Sequence, residues 1–357
     1  MLDLDNFYNA NVLAGFLGAY KSRRAPFFGE ALFPNARTND LTVSWVKGYN
    51  AQNIVLSAAA LDTHATIRSK PAGTLVKMEM PFFKEAIRFS EAERRDIQSS
   101  IQVFGNAQAE SLFNPLLMSY AQLVDGCAVQ LERMRMAVLA QGEFTIAPKP
   151  ETGSTAFYNY NYDPSGEWEA NNKTKILGTL QWTAANKATS NPIQDIITSK
   201  AQHQINTGAV ATRILMNAAT FYGICASETI RKTLQPLGGY ASPGTIKTYL
   251  ETESGCVITV YDEIYHDEFG ARKKFVPDGY AILLPNGPVG TSYYGVTPTE
   301  YDLLGNSALK ENIAITPEGV AIQTVHLKDP VNIETIVSAY CVPSFENMES
   351  VHVIKGF

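Results

Sequence analysis

The first 80 residues of this 357-residue chain combine an arm without a sustained hydrophobic pattern and a projecting ribbon, and a monomer could not stabilise them. Residues 1–40 mix short apolar pieces with a basic patch at Lys21, Arg23 and Arg24, and neither a helical nor a strand period is sustained there. A segment of this kind cannot satisfy its own backbone groups and cover its own apolar side chains. It therefore needs a surface outside itself.

Residues 41–80 predict a projecting ribbon. Leu41–Val46 and Thr74–Met80 alternate apolar with polar residues, and a polar, alanine-rich stretch separates them. Arms of about 15 residues would reach roughly 50 Å, because a strand rises about 3.3 Å per residue. An isolated ribbon of two strands is marginal in water. We therefore expect the ribbon and the segment before it to be buried on neighbouring copies of the chain, as in a self-assembling structural protein.

Composition excludes several classes of protein. The 35 Asp and Glu residues outnumber the 29 Lys and Arg residues, giving a net charge of −6. A sequence-specific nucleic-acid-binding protein is therefore not expected, because such proteins usually carry an excess of positive charge. Hydrophobic residues make up 45% of the chain, which argues against wholesale disorder. Val12–Tyr20 is preceded by no basic residue, so it is not predicted to be a signal peptide, and no apolar run approaches the roughly 20 residues of a membrane span. We expect a soluble protein made in a reducing cytoplasm.

Two helices are predicted before residue 142. Ser90–Glu93 spells a capping box that opens a helix to about Phe104. Asn114-Pro115 supplies a cap and a first-turn proline for a second helix, Pro115–Gln141, whose apolar residues recur every three or four positions. Its 27 residues would extend about 40 Å. Packing against a sheet is favoured over a coiled-coil dimer, because the stripe runs for fewer than four heptads and includes bulky Tyr and Met residues.

The charged residues of this helix, Asp125, Glu132, Arg133 and Arg135, lie largely off its apolar stripe.

The remainder of the chain mixes strands and helices without strand–helix–strand alternation, so the predicted class is α+β. Helices are predicted from Asn191-Pro192 to about Asn206 and over Ala218–Leu234. Cys256–His266 and Arg272–Leu284 are predicted to form a hairpin, and residues 286–305 a Gly-, Pro- and Tyr-rich loop. Further strands are predicted at Phe144–Ala147, Ala156–Tyr162, Lys175–Trp182, Thr212–Met216, Val320–His326, Ile333–Tyr340 and Val351–Ile354.

No motif for catalysis or for cofactor binding occurs. The chain has no phosphate-binding loop, no dinucleotide fingerprint, no His-Glu-x-x-His and no Gly-x-Ser-x-Gly. Its four cysteines form no Cys-x-x-Cys pair, and we expect reduced, mostly buried thiols. We therefore predict that the chain is not an enzyme, and we assign no catalytic, cofactor-binding or metal-binding residue. The cysteines are Cys127, Cys225, Cys256 and Cys341, and the scattered histidines are His64, His203, His266, His326 and His352.

Three local features have a functional and a simpler interpretation. The acidic run Asp262–Glu268 has enough ligands for a cation, but an exposed hairpin tip is favoured, because neighbours on a strand point to opposite faces. The aromatic run Phe157–Tyr162 could stack on bases or sugars, yet alternate aromatic residues on a strand are more often packing. The basic patch Lys21–Arg24 could touch DNA, but a solvated or salt-bridged arm is favoured.

The order and spacing of many short pieces give a specific resemblance, which spans nearly all 357 residues. The most specific pieces are Val260-Tyr261-Asp262-Glu263, Gly270, Lys274-Phe275-Val276-Pro277-Asp278-Gly279, Leu284-Pro285, Gly290, Tyr294-Gly295 and Thr297-Pro298-Thr299-Glu300. Supporting pieces are Trp182, Asn191-Pro192-Ile193-Gln194-Asp195, Thr207-Gly208, Asp329-Pro330-Val331 and Pro343-Ser344-Phe345. In these residues the chain resembles the phage lambda E family of major capsid proteins, which share the Hong Kong 97 capsid fold.

The resemblance implies a division of the chain. Residues 1–40 would be an N-terminal arm and 41–80 an extended loop, or E-loop, lying over an adjacent subunit. Residues 81–194 would form a peripheral domain, with 115–141 as its spine helix. Residues 195–325 would form an axial domain, and 326–357 would return as strands to the peripheral domain.

The resemblance also implies a function. The chain would be the major capsid protein of a tailed double-stranded DNA phage, forming hexamers and pentamers of itself in an icosahedral head. It would be assembled in the bacterial cytoplasm and reside in the virion. Scaffold, portal and decoration proteins would be its partners, the enclosed DNA would be bound without sequence specificity, and no membrane would be involved.

Alternatives remain open at this point. An encapsulin-like bacterial compartment shell shares the fold and is the nearest competitor. An enzyme with an unrecognised catalytic constellation, or a carbohydrate-binding module using Tyr- and Trp-rich strands, would instead be a monomer or small oligomer with a defined pocket.

Overall fold

The computed structural model describes most of the chain. The described residues are 25–47, 56, 58, 61, 64, 74–93, 95, 96, 99, 106–147, 157–234, 241–305, 312–329 and 332–357. The predicted basic patch, most of the ribbon between its two basal strands, and the end of the first predicted helix lie outside them.

The helices with defined bounds are α1 Phe28–Leu32, α2 Asn106–Gln141, α3 Glu167–Asn172, α4 Pro192–Thr207, α5 Ala218–Cys225, α6 Glu228–Leu234, α7 Pro243–Ser254 and α8 Pro298–Gly305. The strands are β1 Asn35–Thr38, β2 Thr42–Lys47, β3 Thr74–Glu79, β4 Phe82–Phe89, β5 Glu143–Ile146, β6 Tyr158–Asn161, β7 Lys173–Lys175, β8 Arg213–Met216, β9 Val257–Val260, β10 Ile264–His266, β11 Arg272–Lys274, β12 Tyr280–Leu284, β13 Ser292–Gly295, β14 Ile313–Ile315, β15 Ala321–His326, β16 Ile333–Pro343 and β17 His352–Lys355. The class is α+β, as predicted.

Two larger sheets organise these strands. A six-stranded sheet runs in the order β1-β13-β16-β15-β14, with β4 antiparallel to β16 on its other side. A five-stranded sheet runs in the order β7-β17-β12-β8-β9. Three two-stranded ribbons, β2-β3, β5-β6 and β10-β11, complete the pairing of described strands.

The five-stranded sheet separates two hydrophobic cores. Along β8, Leu215 faces the core that contains the long helix α2, while Ile214 and Met216 face the core under helices α4 to α7. Neighbouring side chains of a strand point to opposite faces, so a sheet buried on both sides carries apolar residues without alternation. Strand β12 follows the same rule, because all five of its residues are buried.

Helix α2 is longer than predicted. It begins at Asn106, so the Asn114-Pro115 cap is wrong, while the predicted end at Gln141 is confirmed and is followed by Gly142 at φ 79°. The helix continues through Pro115 because the residues before it, rich in Ala, Gln and Glu, favour helix, and a single proline removes only one backbone donor. The capping box exists as predicted, since Ser90 N donates to Glu93 Oε2 and residues 91–93 are helical.

Several other predicted elements need correction. The helix predicted over Ala218–Leu234 is two helices, α5 and α6, divided at Ala226 and Ser227. The predicted hairpin is limited to β10 and β11, because β9 and β12 both join β8 in the five-stranded sheet.

The remaining corrections concern polar and loop-like sequence. The segment predicted as a loop contains β13 and α8, and α7 was not predicted at all. The strand predicted at Lys175–Trp182 is reduced to β7 and a short 3-10 turn, Gly178–Leu180. A search for membrane-spanning helices among the described residues finds no candidate.

Candidate assembly surfaces

Residues 25–38, here called the N-terminal anchor, are held inside the body of the protein. Leu32 and Phe33 are fully buried, and the ring of Phe27 packs edge-on against that of Phe275 with centroids 5.5 Å apart. Strand β1 then pairs in parallel with β13. The anchor is therefore buried on its own subunit, so the expectation that this segment is buried on neighbouring copies is wrong for residues 25–38.

A buried ion pair fastens the anchor. Glu132 and Arg135 on α2 are 0% and 1% exposed, although both lie off the apolar stripe of the helix. Glu132 Oε1 accepts a hydrogen bond from the backbone N–H of Gly29 at 2.9 Å, and Arg135 donates to the carbonyl of Phe33 at 3.2 Å. The anchor covers this face of the helix, which is why both charges are buried.

The same pair reaches two further segments. Arg135 donates to Ser292 Oγ at 2.9 Å and to Asn35 Oδ1 at 2.7 Å, and the hydroxyl of Tyr261 donates to Glu132 Oε1 at 3.2 Å. Burial raises the pKa of Glu132, and this effect outweighs the opposing influence of the Arg135 charge. Since breaking a buried pair costs much more than forming it gains, these two residues act as a lock on the anchor.

Gly29 is needed for this approach. A Cβ at this position would lie 2.3 Å from Glu132 Oε2 and 2.9 Å from Arg135 Cδ, so no other residue fits against the pair. Sequence reasoning missed the network. The three-residue spacing of Glu132 and Arg135 is consistent with an ion pair on one helix turn. No residue of the anchor, however, predicts that the anchor packs over this ion pair.

The base of the predicted ribbon is confirmed as an antiparallel pair, β2 with β3. Its inward face is apolar and contains Val43, Trp45 and Met78, all buried. Trp45 stacks on Tyr162 with centroids 5.8 Å apart, and the hydroxyl of Tyr160 donates to the carbonyl of Glu79 at 2.7 Å. The base of the ribbon is therefore fixed to the body by aromatic contacts.

A salt bridge secures one arm. Lys47 Nζ lies 3.1 Å from Asp163 Oδ1 and donates to the carbonyl of Tyr162 at 3.0 Å. Burial alone would raise the pKa of Asp163, but backbone N–H groups of Glu169 and Trp168, with Lys47, hold it below its usual value. Asp163 thus remains ionised at neutral pH, and the strand is held where it leaves the body.

The outward face of the ribbon changes in character along its length. Near the body the opposed pair is Ser44 with Lys77, and at the far end of the described strands it is Val46 with Leu75. Val46 is 48% exposed and Leu75 58%. An apolar cross-strand pair is thus left uncovered on the subunit, and such pairs are stabilised when another surface covers them.

A groove of about 600 Å³ lies between α2, β4, β5 and the β10-β11 hairpin. Its lining includes Cys127, whose thiol pKa is raised to about 12 by burial, so this sulfur is not a thiolate nucleophile at neutral pH. On its rim Arg133 lies 2.6 Å from Glu268, so these charges are already paired. The groove therefore has an apolar surface, and the charges of Arg133 and Glu268 on its rim neutralise each other. Its lining residues include no nucleophile paired with a base.

The acidic run Asp262–Glu268 ends in a hairpin turn, as favoured. Asp267 Oδ1 accepts from the backbone N–H groups of Phe269 and Ala271 at 3.0 and 2.8 Å, and its Oδ2 lies 2.9 Å from Lys273 Nζ. Asp262 lies 3.6 Å from Lys274, and Glu268 pairs with Arg133. Within the described residues no group of three or more His, Cys, Asp or Glu side chains could hold a metal ion.

The aromatic run forms packing contacts, again as favoured. The Tyr158 and Tyr160 rings stack with centroids 6.1 Å apart, and the hydroxyl of the buried Tyr162 donates to the carbonyl of Pro343. Phe157 is the exposed member, at 62%. The four cysteines are free and buried, as predicted.

Comparison with known proteins identifies the class of molecule. The chain matches the family described as phage major capsid protein E over residues 12–352. The chain belongs to this family. A comparison with curated proteins gives no match.

Solved structures share the fold of this capsid-family chain. A protein described as a prophage capsid protein, from E. coli CFT073, is 15% identical, with 97% of this chain and 98% of that chain covered at a TM-score of 0.58. A phage-related protein from Bordetella bronchiseptica RB50 is 13% identical, with coverages of 98% and 97% and a TM-score of 0.53. The capsid asymmetric unit of cyanophage A-1(L) gives 13% identity, coverages of 93% and 92%, and a TM-score of 0.50. The likeness covers the whole fold, and the Hong Kong 97-like class expected from the sequence is confirmed.

Proposed function

We propose that the chain is the major capsid protein of a tailed double-stranded DNA bacteriophage and assembles into the icosahedral head as pentamers and hexamers. The observation that carries the proposal is the family match over residues 12–352, together with a fold shared with phage capsid structures across almost the full chain. Its place is then the capsid of the virion.

The proposed division of the subunit follows from the same resemblance. It comprises an arm at 1–40, an extended loop at 41–80, a peripheral domain at 81–194 with 115–141 in its spine helix, an axial domain at 195–325 and a terminal segment at 326–357. The pairing of β2 with β3 at the base of the loop supports one boundary of it. The terminal segment contributes β16 to the sheet with β4 and β17 to the sheet with β8 and β12.

Self-association is supported by the surface that the subunit leaves uncovered. Fully burying a Val or Leu side chain contributes about 1.5–3 kcal/mol, and Val46 and Leu75 are about half exposed, so a neighbouring copy that covers this pair gains roughly half of that for each residue. Closure into a symmetric shell repeats such contacts many times, and their sum stabilises the particle. We also propose scaffold, portal and decoration proteins as partners, because a phage capsid role implies them.

We propose no enzymatic activity. The polar clusters described above are occupied by structural ion pairs, as between Arg133 and Glu268, and the buried Cys127 thiol is protonated. A net charge of −6 is consistent with a capsid protein that encloses DNA without binding its phosphates tightly. A strong, salt-sensitive affinity of purified shells for duplex DNA would contradict this last point.

The test is size-exclusion chromatography and electron microscopy of the full chain, expressed alone and with its scaffold. We expect closed particles of MDa size, and we expect Val46→Asp with Leu75→Asp to reduce them to small oligomers. Ser44→Asp is the matched control for the Val46→Asp substitution, because it adds one negative charge to the same face of β2 without removing apolar surface. A clean 39.1 kDa peak for the unmodified chain at every concentration would overturn the proposal.

The genes flanking this one distinguish the nearest competitor. An encapsulin-like compartment would also form particles, but a cargo enzyme would be encoded beside it instead of a portal and a terminase.

A further inference from the structure

Two histidines that are far apart in the sequence form a buried pair. His203 lies on α4 and His352 begins β17, and their ring centroids are 5.3 Å apart at an angle of 53°. They are 0% and 2% exposed. The pair therefore joins the helix layer to the C-terminal strand of the five-stranded sheet.

The hydrogen bonds of the pair use only one nitrogen of each ring. His203 Nε2 lies 3.2 Å from the carbonyl oxygen of Ser350, which can only accept, so this nitrogen carries the proton. His352 Nε2 lies 3.0 Å from Thr174 Oγ1 on β7. In the described part of the chain neither Nδ1 atom has a hydrogen-bond partner, although both are buried. A second proton on either ring would therefore place an N–H group where nothing accepts it.

The charged groups around the pair do not offset such a proton. On the elements packed against it the charged side chains are Asp195, Lys200, Lys173, Lys175, Glu167, Glu169, Glu349 and Lys355. Glu169 is bound to Lys175 at 2.8 Å and lies 3.7 Å from Lys173, and Lys200 donates to the carbonyl of Ser254. Lys355 lies over the ring of Tyr280 at 5.7 Å.

Asp195 acts in the opposite direction. It lies two helical turns before His203 and accepts from the indole N–H of Trp182, and burial raises its pKa. Acidification therefore stabilises this carboxyl in the folded state, and any loosening by acid must come from another group.

We propose that the His203–His352 pair is an acid-sensitive clasp: a proton on either ring separates α4 from β17 and releases the C-terminal strand from the five-stranded sheet. Burial lowers the pKa of His203, and burial together with the neighbouring His203 lowers that of His352 to about 4. Once the strand is released, both rings are hydrated and regain their ordinary affinity for protons. The closed form is therefore favoured at neutral pH and loses this advantage as the pH falls from the ordinary histidine pKa towards 4.

Hydrogen exchange of the full chain, read by mass spectrometry and corrected for the intrinsic rate, tests the clasp. Counting only the contribution of His352, whose pKa rises from about 4 to its ordinary value on opening, the opening constant of β17 should rise roughly 25-fold between about pH 7.5 and about pH 5. We expect peptides containing Val353–Lys355 to lose that protection while those containing β15 keep theirs.

Variants separate the clasp from general acid sensitivity. His352→Gln keeps a donor near Thr174 but cannot titrate, so the pH dependence of exchange at β17 should fall to a few-fold. His326→Gln is the matched control, because it removes an exposed histidine and should leave the pH profile unchanged.

A measurement on the unmodified chain keeps the inference falsifiable if His352→Gln does not fold. Exchange at the imidazole C2–H position reports the pKa of each histidine directly. Ordinary midpoints for both histidines while β17 stays protected, or a His352→Gln variant with the full acid response, would overturn the clasp.

Discussion

Removing the guanidinium of Arg135 should detach the N-terminal anchor. Arg135→Met deletes the hydrogen bonds to Ser292, to the carbonyl of Phe33 and to Asn35, and it leaves the carboxylate of Glu132 buried without its counter-charge. Truncating one partner of a buried pair costs about 3–5 kcal/mol, because the remaining charge stays desolvated. At about 1.4 kcal/mol per tenfold change, the population of unfolded or detached chains should rise at least 100-fold.

The double variant Glu132→Gln with Arg135→Met supplies the decisive comparison. It removes both charges, while the Gln carbonyl can still accept from Gly29, so we expect it to recover about half of the single-variant cost, about 1.5–2.5 kcal/mol. Urea unfolding followed by tryptophan fluorescence gives the free energies, and limited proteolysis after residue 25 reports detachment of the anchor.

An exposed ion pair in the same subunit provides the control. Arg88 on β4 lies 2.7 Å from Glu334 on β16, but its side chain is 61% exposed. Arg88→Met should therefore cost about 1 kcal/mol or less. Equal losses for Arg88→Met and Arg135→Met, or a double variant whose loss is the sum of both single losses, would refute the reasoning from burial.

Two further predictions concern packing and the ribbon. Gly223→Ala should destabilise the fold by about 1–3 kcal/mol, because its Cβ would clash with the carbonyl oxygen of Trp182. Gly126→Ala, with open space around it on α2, should instead stabilise the fold by about 0.5–1 kcal/mol. Thermal unfolding measures both changes, and equal shifts would contradict the packing argument. Lys47→Met should leave Asp163 without its cation and free the base of the ribbon. Proteolysis within residues 41–80 should then accelerate while helix α2 stays protected. An unchanged cleavage rate would show that the aromatic contacts alone hold the ribbon.

The parts of the fold that could be predicted are those whose signal is local. Helix α4 matches its Asn-Pro start and Gly208 end, and β2 and β3 match their alternating patterns, because caps and strand periods are encoded within a few residues. The end of α2 at Gly142 follows the same logic. Its beginning does not, since a proline that can start a helix can also be tolerated inside one.

The parts that could not be predicted depend on contacts between distant segments. Helix α7 was missed because its sequence, rich in Thr and Glu, carries only three buried residues, Ile246, Leu250 and Ser254. The lock at Glu132 and Arg135 was missed because charged residues on a helix ordinarily mark its solvent face. The histidine pair brings together positions 203 and 352, and spacing along the chain contains no information about such a meeting.

The seat of the N-terminal anchor imposes an order on biosynthesis. The carbonyl of Phe33 accepts hydrogen bonds from Arg135 and from Ser292, and Ser292 lies 259 residues further along the chain. At roughly 5–20 residues per second, the ribosome needs about 13–50 s to supply that partner. Throughout this interval the anchor has no completed seat, so a nascent subunit cannot present the finished arrangement to its neighbours. The anchor can consequently be completed only after most of the chain has been translated.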